Sequence, residues 1–426
     1  MKIKIGVRTI LLTLCSSLPL TALAVDKLTL DDYYAAALAR SEVISTQTEL
    51  IVQAEERYAQ ARGSMLPTVS GIVTRLWQEG LAQESVTNPR RQNNSRLTAS
   101  QPLFRGFRDF AALRQSKALI GAQNEDYWNA RTQLFRDVSQ NYFDVLSIEQ
   151  DLRNLDEQIN LNLQRERELR DRVRIGRSRP GEVLTVQSAI SSLRAQTQQL
   201  QAQLDTSREV FAFLSGLPSA TPLQDSETVP DNIESVADYI ARVDVRPDVK
   251  GAQQRLTAAQ EAVSVARGAH LPSLDLNANR YFERTGSSAD IDWDVQLSLT
   301  IPIYSGGIMQ SQVREATSRS TQAELALSEI RRRAEQEIRA LHQGVGLDRL
   351  QLDALEKATD AAKNNYQTQL RDYRLGLVTN LDVLQALTSF QESKRALDRA
   401  RYTAKLDYLK LQAASARRPA VQEGSP

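Results

Sequence analysis

The chain contains an internal duplication, and this feature limits the folds that it can adopt. The segment "RVRIGRSRPGEVLTVQ" at 172–187 corresponds to "DYRLGLVTNLDVLQAL" at 372–387, an offset of 200 residues. "GSMLPTVSG" at 63–71 likewise corresponds to "GAHLPSLDL" at 268–276. Because matching segments are expected to fold alike, the chain is predicted to contain two copies of one structural unit.

Each copy contains an unusually long helical segment. Residues 107–175 and 308–375 contain no proline and consist mostly of helix-forming residues. At 1.5 Å per residue, such a helix is about 100 Å long. Apolar heptads follow, from Val183 to Leu214 and from Val383 to Ala404, so each copy is predicted to form an antiparallel coiled-coil hairpin. Two coiled coils of a structural filament would fit this pattern equally well.

Two strand-like stretches precede the long helix in each copy. They are predicted at 68–78 and 95–104, then at 273–284 and 291–303. The last stretch, within "DIDWDVQLSLTIPI", alternates apolar and polar residues, and its length suits a tilted transmembrane β-strand, which needs about 9 to 11 residues. The residues predicted to face lipid are Trp293, Val295, Leu297 and Leu299. The residues predicted to face a lumen are Asn277, Asn279, Asp292, Asp294 and Gln296.

Four strands cannot form a membrane barrel by themselves. A strand in lipid must satisfy all its backbone groups, so its sheet has to close, and bacterial barrels begin at about eight strands. Two chains would give eight strands around a filled interior, whereas three would give twelve strands around a lumen with room for water. Passage of a substrate favours three chains.

The first residues predict secretion. Residues 1–24 combine three basic residues, an apolar run and the small residues "ALA", which is typical of a signal peptide. The one cysteine of the chain, Cys15, lies in this segment, and the bulky Leu14 before it disfavours the alternative of a lipoprotein. Loss of three positive charges changes the net charge from +1 to −2, so nucleic acid is not expected as a partner.

The sequence offers little for catalysis. Beyond the predicted signal peptide it has no cysteine, and the whole chain has two histidines. It contains none of the glycine-rich nucleotide motifs, zinc-protease motifs or serine-hydrolase motifs. We therefore expect neither an enzyme nor a bound metal or cofactor.

In its order of motifs and its duplication, the chain resembles the TolC-type outer-membrane efflux proteins, the outer membrane factor family. The likeness includes "LTLDDYYAAALARSEV", "RPDVKGAQQRLTAAQEAV", the duplicated strand pairs and the paired tips "RIGRSRPGEVL" and "RLGLVTNLDVL", and it covers about residues 28–413. It implies a mainly α fold with a small β part. Long coiled-coil hairpins would form an α-barrel, and each chain would add four strands to a 12-stranded trimeric transmembrane β-barrel.

The resemblance also implies a location and partners. The protein is expected in the outer membrane of a Gram-negative bacterium, in contact with its lipid and extending into the periplasm. It would be a homotrimer that works with a periplasmic adaptor protein and an inner-membrane ABC or proton-driven transporter. The exported substrates would be secreted proteins or small toxic molecules. The alternative is a periplasmic adaptor or coiled-coil scaffold of an export system, which would not need to duplicate the whole unit.

The expected organisation follows the duplication. The chain divides into the signal peptide at 1–24, a first repeat at 25–217, a linker in an equatorial region at 218–234, a second repeat at 235–413 and a disordered tail at 414–426.

The resemblance places function at the two helical tips. Asp382 matches an aspartate whose ring constricts the entrance in the family, and Tyr373 matches a tyrosine of its closing network. Gln385 replaces a second aspartate, and Glu182, the duplicate of Asp382, is expected either to gate or to cap its helix. The predicted aperture residues are Asp382, Tyr373, Gln385 and Glu182. The predicted adaptor-docking residues are Arg174, Ile175, Gly176, Val183, Leu375, Gly376 and Val383.

Overall fold

The computed structural model describes residues 27–79 and 90–418, which form long helices and one four-stranded sheet. The α-helices are α1 (Leu30–Arg40), α2 (Glu42–Gly63), α3 (Arg108–Arg174), α4 (Pro180–Ser215), α5 (Val236–Ile240), α6 (Pro247–Gly268), α7 (Ile308–Leu375) and α8 (Asn380–Ala414). The strands are β1 (Thr68–Trp77), β2 (Arg91–Arg105), β3 (Ser273–Arg284) and β4 (Trp293–Thr300). The expected signal peptide and residues 419–426 of the expected tail lie outside the described residues.

A capping box starts the first helix of each copy. Thr29 and Asp32 form one at the start of α1, and Ser235 and Asp238 form another at the start of α5. The first helix of each copy is interrupted, because Ser41 ends α1 and caps α2 while a short 3-10 turn separates α5 from α6. None of the helices in the described ranges has the length and apolarity needed to cross a bilayer.

The sheet has the order β1-β2-β3-β4, and every neighbouring pair is antiparallel. The predicted limits of two strands were wrong. The second strand begins at Arg91 rather than at 95, since its polar "RQNN" start pairs with β1 and its Asn94 also pairs with β3. The fourth spans 293–300 rather than 291–303, because its pairing with β3 ends at these residues.

The main core lies midway along the molecule, where short helices pack on long ones. The Tyr33 ring of α1 packs at a tilt against Phe211 of α4, with ring centroids 4.6 Å apart, and its hydroxyl donates a 2.9 Å hydrogen bond to Asn141 of α3. The segment 218–234 joins this region, since Leu28 forms a parallel bridge with Leu223. Leu406 and Leu409 of α8 belong to the same core, which therefore connects the second hairpin to the first.

The predicted heptads form the seams of the hairpins. In α4, Val186 and Ile190 are buried against α3, and in α8, Ala386 and Leu397 are buried. The fold is thus mainly α with a small β part, as the sequence predicts. After α8 the chain remains bound to the rest of the fold, since the guanidinium of Arg418 forms ion pairs with the carboxylates of Asp31 and Glu227.

Two glycines allow the junctions between sheet and helices to touch. Gly106 follows β2 with φ of +63°, and Gly268 ends α6 beside it. A Cβ on Gly268 would lie 2.5 Å from the Gly106 carbonyl oxygen. Gly63, the duplicate of Gly268 at the end of α2, has open space instead. The two copies therefore differ in how closely their strand–helix junctions pack.

We predict that Gly268→Ala destabilises the fold by about 1–3 kcal/mol, because the added methyl group must displace backbone atoms. Gly63→Ala is the matched control and is expected to be neutral or slightly stabilising, since alanine favours the helix. Thermal unfolding followed by the helical circular dichroism signal of the detergent-solubilised protein measures both. Equal melting temperatures for the two variants would contradict the close approach.

Candidate functional site

One face of the sheet carries a band of exposed apolar side chains. Trp293, Val295, Leu297 and Leu299 of β4 are 57 to 65% exposed, and Val69, Val73 and Trp77 of β1 are exposed on the same face. Within the described residues nothing packs on this face. A surface of this kind is unusual on a protein surrounded only by water and fits contact with hydrocarbon.

The opposite face carries a connected polar cluster. The Asp294 carboxylate accepts a 2.7 Å hydrogen bond from Asn279 and a 2.8 Å hydrogen bond from the Tyr281 hydroxyl. Thr98 of β2 donates to the Asn279 side chain over 2.8 Å. Asn277 and Gln296 face each other one step further along the ladder. Polar and apolar side chains therefore alternate across the sheet.

Asp292 does not join this cluster. It precedes the first residue of β4, and its carboxylate lies 3.4 Å from the Arg280 guanidinium. Arg280 pairs in register with Trp293, on the apolar face of the sheet. The structure thus separates Asp292 from Asp294, because strand alternation applies only where the ladder has begun.

The two helical tips have matching turns. Gly176 follows α3 and Gly376 follows α7, with φ of +74° and +80°, a left-handed conformation that glycine adopts without strain. The amide of Arg177 bonds the Arg172 carbonyl, and the amide of Leu377 bonds the Asp372 carbonyl, so both turns close in the same way. The predicted duplication therefore extends to the geometry of the tips.

Two of the aperture candidates, Glu182 and Asp382, lie in the first turns of α4 and α8. Asp382 is exposed and forms a capping box with Thr379, whose hydroxyl donates a 2.6 Å hydrogen bond to its carboxylate. These bonds hold the pKa of Asp382 below its usual value, so the group is ionised at neutral pH. Glu182 accepts a 2.8 Å hydrogen bond from Ser178, and Gln385 is exposed one turn after Asp382.

Tyr373 is held between two arginines of the other hairpin. The guanidinium carbon of Arg165 lies 3.8 Å from the centroid of its ring and that of Arg172 lies 4.5 Å away. Arg165 is 5% exposed and donates a 2.8 Å hydrogen bond to Asn380 at the start of α8. Sequence reasoning missed Arg165 and Asn380. No pattern in the sequence singles out either residue, since Arg165 is one arginine of a highly charged helix and Asn380 simply follows the capping residue Thr379.

The contact between α3 and α8 is polar over much of its length. Arg399 donates to Asp151 over 2.6 Å, Asn154 donates to Asp398 over 2.8 Å, and Gln391 is completely buried. The seams inside each hairpin are apolar instead. Because polar groups can exchange protein partners for water, this seam between hairpins costs less to open than an apolar one of equal area.

The docking candidates divide by exposure. Ile175 and Leu375 are 62% and 74% exposed, and Arg174, Gly176 and Gly376 are exposed beside them. Val383 is 2% exposed, because it packs in the tip core with Leu169 and Val186, and Val183 is partly buried against the same cluster. The surface of the tips is therefore formed by the turns rather than by the two valines. The residues described here include no group of three or more side chains that could hold a metal ion.

A sheet with an apolar outer face, attached to helical hairpins about 100 Å long, defines the subunit of an outer-membrane channel that extends into the periplasm. The model of the family described as outer membrane efflux protein matches residues 33–217 and 243–417, one stretch in each copy. The chain belongs to this family.

Known proteins of the same kind are similar to most of the chain. It is 24% identical to the outer membrane protein TolC of Escherichia coli over 378 residues, which cover 84% of this chain and 76% of that protein. The solved structure of CusC superposes with a TM-score of 0.81 at 20% identity, covering 91% of each chain. VceC from Vibrio cholerae gives a TM-score of 0.80 at 18% identity, covering 91% of this chain and 95% of that one. These matches span both copies and favour a channel over the adaptor or scaffold alternative.

We predict that Tyr373→Leu loosens the tips, because two cation–π contacts of about 0.5–2 kcal/mol each are lost. Hydrogen–deuterium exchange of amides at 165–186 and 373–387 should become faster by roughly tenfold. Tyr373→Phe keeps the ring face and should exchange like the unmodified protein. Unchanged protection in the leucine variant would mean that the arginine contacts do not restrain the tips.

Proposed function

We propose that three copies of this chain assemble into one continuous conduit across the outer membrane and the periplasm. Each chain would contribute its two repeats, 25–217 and 235–413, joined by the linker at 218–234, after residues 1–24 have directed secretion. Four strands per chain give a closed barrel of twelve strands. The protein then acts as a passage for other molecules rather than as an enzyme.

The observation that carries this proposal is the pair of open sheet edges beside an apolar face. Within residues 27–79 and 90–418, β1 and β4 each have one neighbouring strand, so the outer edge of each strand lacks a ladder partner there. In lipid such an edge is unacceptable, because the unpaired amides and carbonyls cost several kcal/mol each. Pairing of β1 with β4 of the next chain removes both edges at once. Three chains leave a lumen wide enough for water.

The conduit would deliver substrates that an inner-membrane transporter supplies. An ABC transporter or a proton-driven pump would provide the energy, and a periplasmic adaptor protein would join it to the tips. The cargo would be secreted proteins or small toxic molecules. The conduit itself contributes shape and charge, since its walls contain polar side chains at the barrel and acidic side chains at the tips.

The tips would act as the gate. Three copies of the ionised Asp382, with Gln385 and Glu182 nearby, would concentrate negative charge at the three-fold axis and favour cations over anions. Tyr373, held by Arg165 and Arg172, would keep the second hairpin against the first. Opening would separate the hairpins along the polar seam between α3 and α8.

The exposed turns would receive the adaptor. Ile175 and Leu375 are apolar side chains on the two tips, each beside a left-handed glycine and a basic residue. Exposed apolar groups at the end of a long hairpin are suited to burial by a partner helix. Val183 and Val383 would support this surface from beneath by packing the tip core.

The proposed gate is tested by electrical recording. In planar bilayers the protein should form cation-selective channels, and Asp382→Asn should raise the conductance and reduce the cation-to-anion permeability ratio severalfold. Asp205→Asn, an exposed charge change on α4 far from the tips, is the control and should change neither quantity. Unaltered selectivity in the Asp382 variant would remove this residue from the gate, and complete absence of conductance in the unmodified protein would refute the channel.

The proposed docking surface is tested by export. The paired change Ile175→Ser and Leu375→Ser should reduce adaptor-dependent export by on the order of tenfold, because central apolar anchors dominate binding. Channel conductance in bilayers should stay the same, which separates docking from assembly. Normal export by a variant that accumulates at normal levels would exclude these side chains from the adaptor contact.

A further inference from the structure

We propose that the distal part of the barrel interior binds anions through Arg96 and Arg284. This inference rests on the proposed conduit and adds a second charged region to it, opposite in sign to the Asp382 ring. The ligand class is a multiply charged anion, carrying carboxylate or phosphate groups, that passes through the lumen or enters it from outside.

Both arginines lie on the polar face of the sheet, near the ends of the strands furthest from the helices. Arg96 pairs in register with Tyr281, and Asn94 pairs with Arg284 beyond a bulge in β3. The guanidinium carbon of Arg284 lies 4.3 Å from the centroid of the Tyr281 ring. Stacking on tyrosine fixes the position of the guanidinium and leaves its N–H groups free for other partners.

The charges in this region do not cancel. Asp294 is the acidic side chain beside the two arginines, and both of its carboxylate oxygens are occupied by Asn279 and Tyr281. The direct ion pairs of the described strands are Arg105–Asp275, at the helical end, and Arg280–Asp292. Among the described residues of this part of the polar face, two arginines and one aspartate therefore leave one net positive charge per chain, and three chains would repeat it around the lumen.

The arginines also have unused donors. Among the described residues, Arg96 Nε and Arg284 Nη1 are buried and have no hydrogen-bond partner. A polar pocket of about 270 Å³ adjoins Arg284. Its lining includes Gln92, Asn94, Thr285, Ser287 and Ser288. Guanidinium donors next to hydroxyl and amide groups form a chemical environment suited to carboxylate or phosphate oxygens.

Arg75 offers a basic side chain of the same sheet that lies outside this site. Arg75 of β1 lies on the apolar face, and its Nε donates a 3.1 Å hydrogen bond to Asn93, which in turn donates to Glu283. Arg75 is therefore a matched control: it has the same charge, lies near the same end of the sheet, and faces the other side.

The test is blockade of the reconstituted channel by inorganic tripolyphosphate. Added on the barrel side, the anion should reduce the current at lower concentrations than when it is added on the tip side. The double variant Arg96→Gln, Arg284→Gln should need on the order of tenfold more tripolyphosphate for half-maximal block, since charge-assisted hydrogen bonds are lost. The Arg75→Gln channel should be blocked at the same tripolyphosphate concentration as the unmodified channel, and the Arg284→Lys channel should retain part of the sensitivity to block.

The possible outcomes test the anion site separately from the proposed conduit. Equal block of the double variant and the unmodified channel, or no block of the unmodified channel, would overturn the anion site while leaving the conduit intact. An equal loss in Arg75→Gln would also overturn it, because the effect would then come from general surface charge. If the double variant fails to insert, the single variants Arg96→Gln and Arg284→Gln are measured separately, with an expected weakening of about threefold each. Failure of every preparation to conduct would refute the proposed function instead.

Discussion

The unpaired outer edges of the four-stranded sheet are the constraint on which the rest of the structure depends. Among the residues that the structure describes, β1 and β4 have no second neighbouring strand, and the face between them carries a band of exposed apolar side chains. In a bilayer both features have one common solution, which is closure by further copies with the apolar face outward. The polar cluster around Asp294 would then line an interior, so the chemistry of the proposed lumen follows from the same alternation that would place Trp293 and Leu297 in lipid.

The helical part meets a different requirement, because it must be long and still able to move. Apolar heptads hold each hairpin together, whereas the contact between hairpins depends on polar pairs such as Arg399–Asp151 and on the Arg165–Asn380 bond at the tips. The polar pairs can exchange their partners for water, but the tip core, in which Val383 packs with Leu169 and Val186 of the first hairpin, would be exposed when the hairpins part. In the proposed gate, the sheet ladder fixes the barrel while the tips, about 100 Å away along the hairpins, change their separation.

The sequence predicted most of the architecture because the repeated elements depend on local rules. Proline-free runs gave α3 and α7, apolar heptads gave α4 and α8, and alternation indicated β4. The start of β2 was missed, because "RQNN" has low strand propensity and is held by pairing with β1, to which Asn94 adds pairing with Arg284 of β3. Arg165 was missed because a single arginine in a charged helix looks solvent-exposed, and only the approach of α7 and α8 makes it a buried partner of Tyr373.

Spin labelling can measure directly which face of β4 contacts lipid and which faces water. Nitroxide labels on Val295→Cys and on Gln296→Cys, reconstituted in lipid bilayers, report access to molecular oxygen dissolved in lipid and to a water-soluble nickel chelate. Dissolved oxygen should reach the label at 295 and the nickel chelate should reach the label at 296, because neighbouring residues of a strand point to opposite faces. Equal access of the nickel chelate to both positions would contradict it, since the apolar face would then be in water.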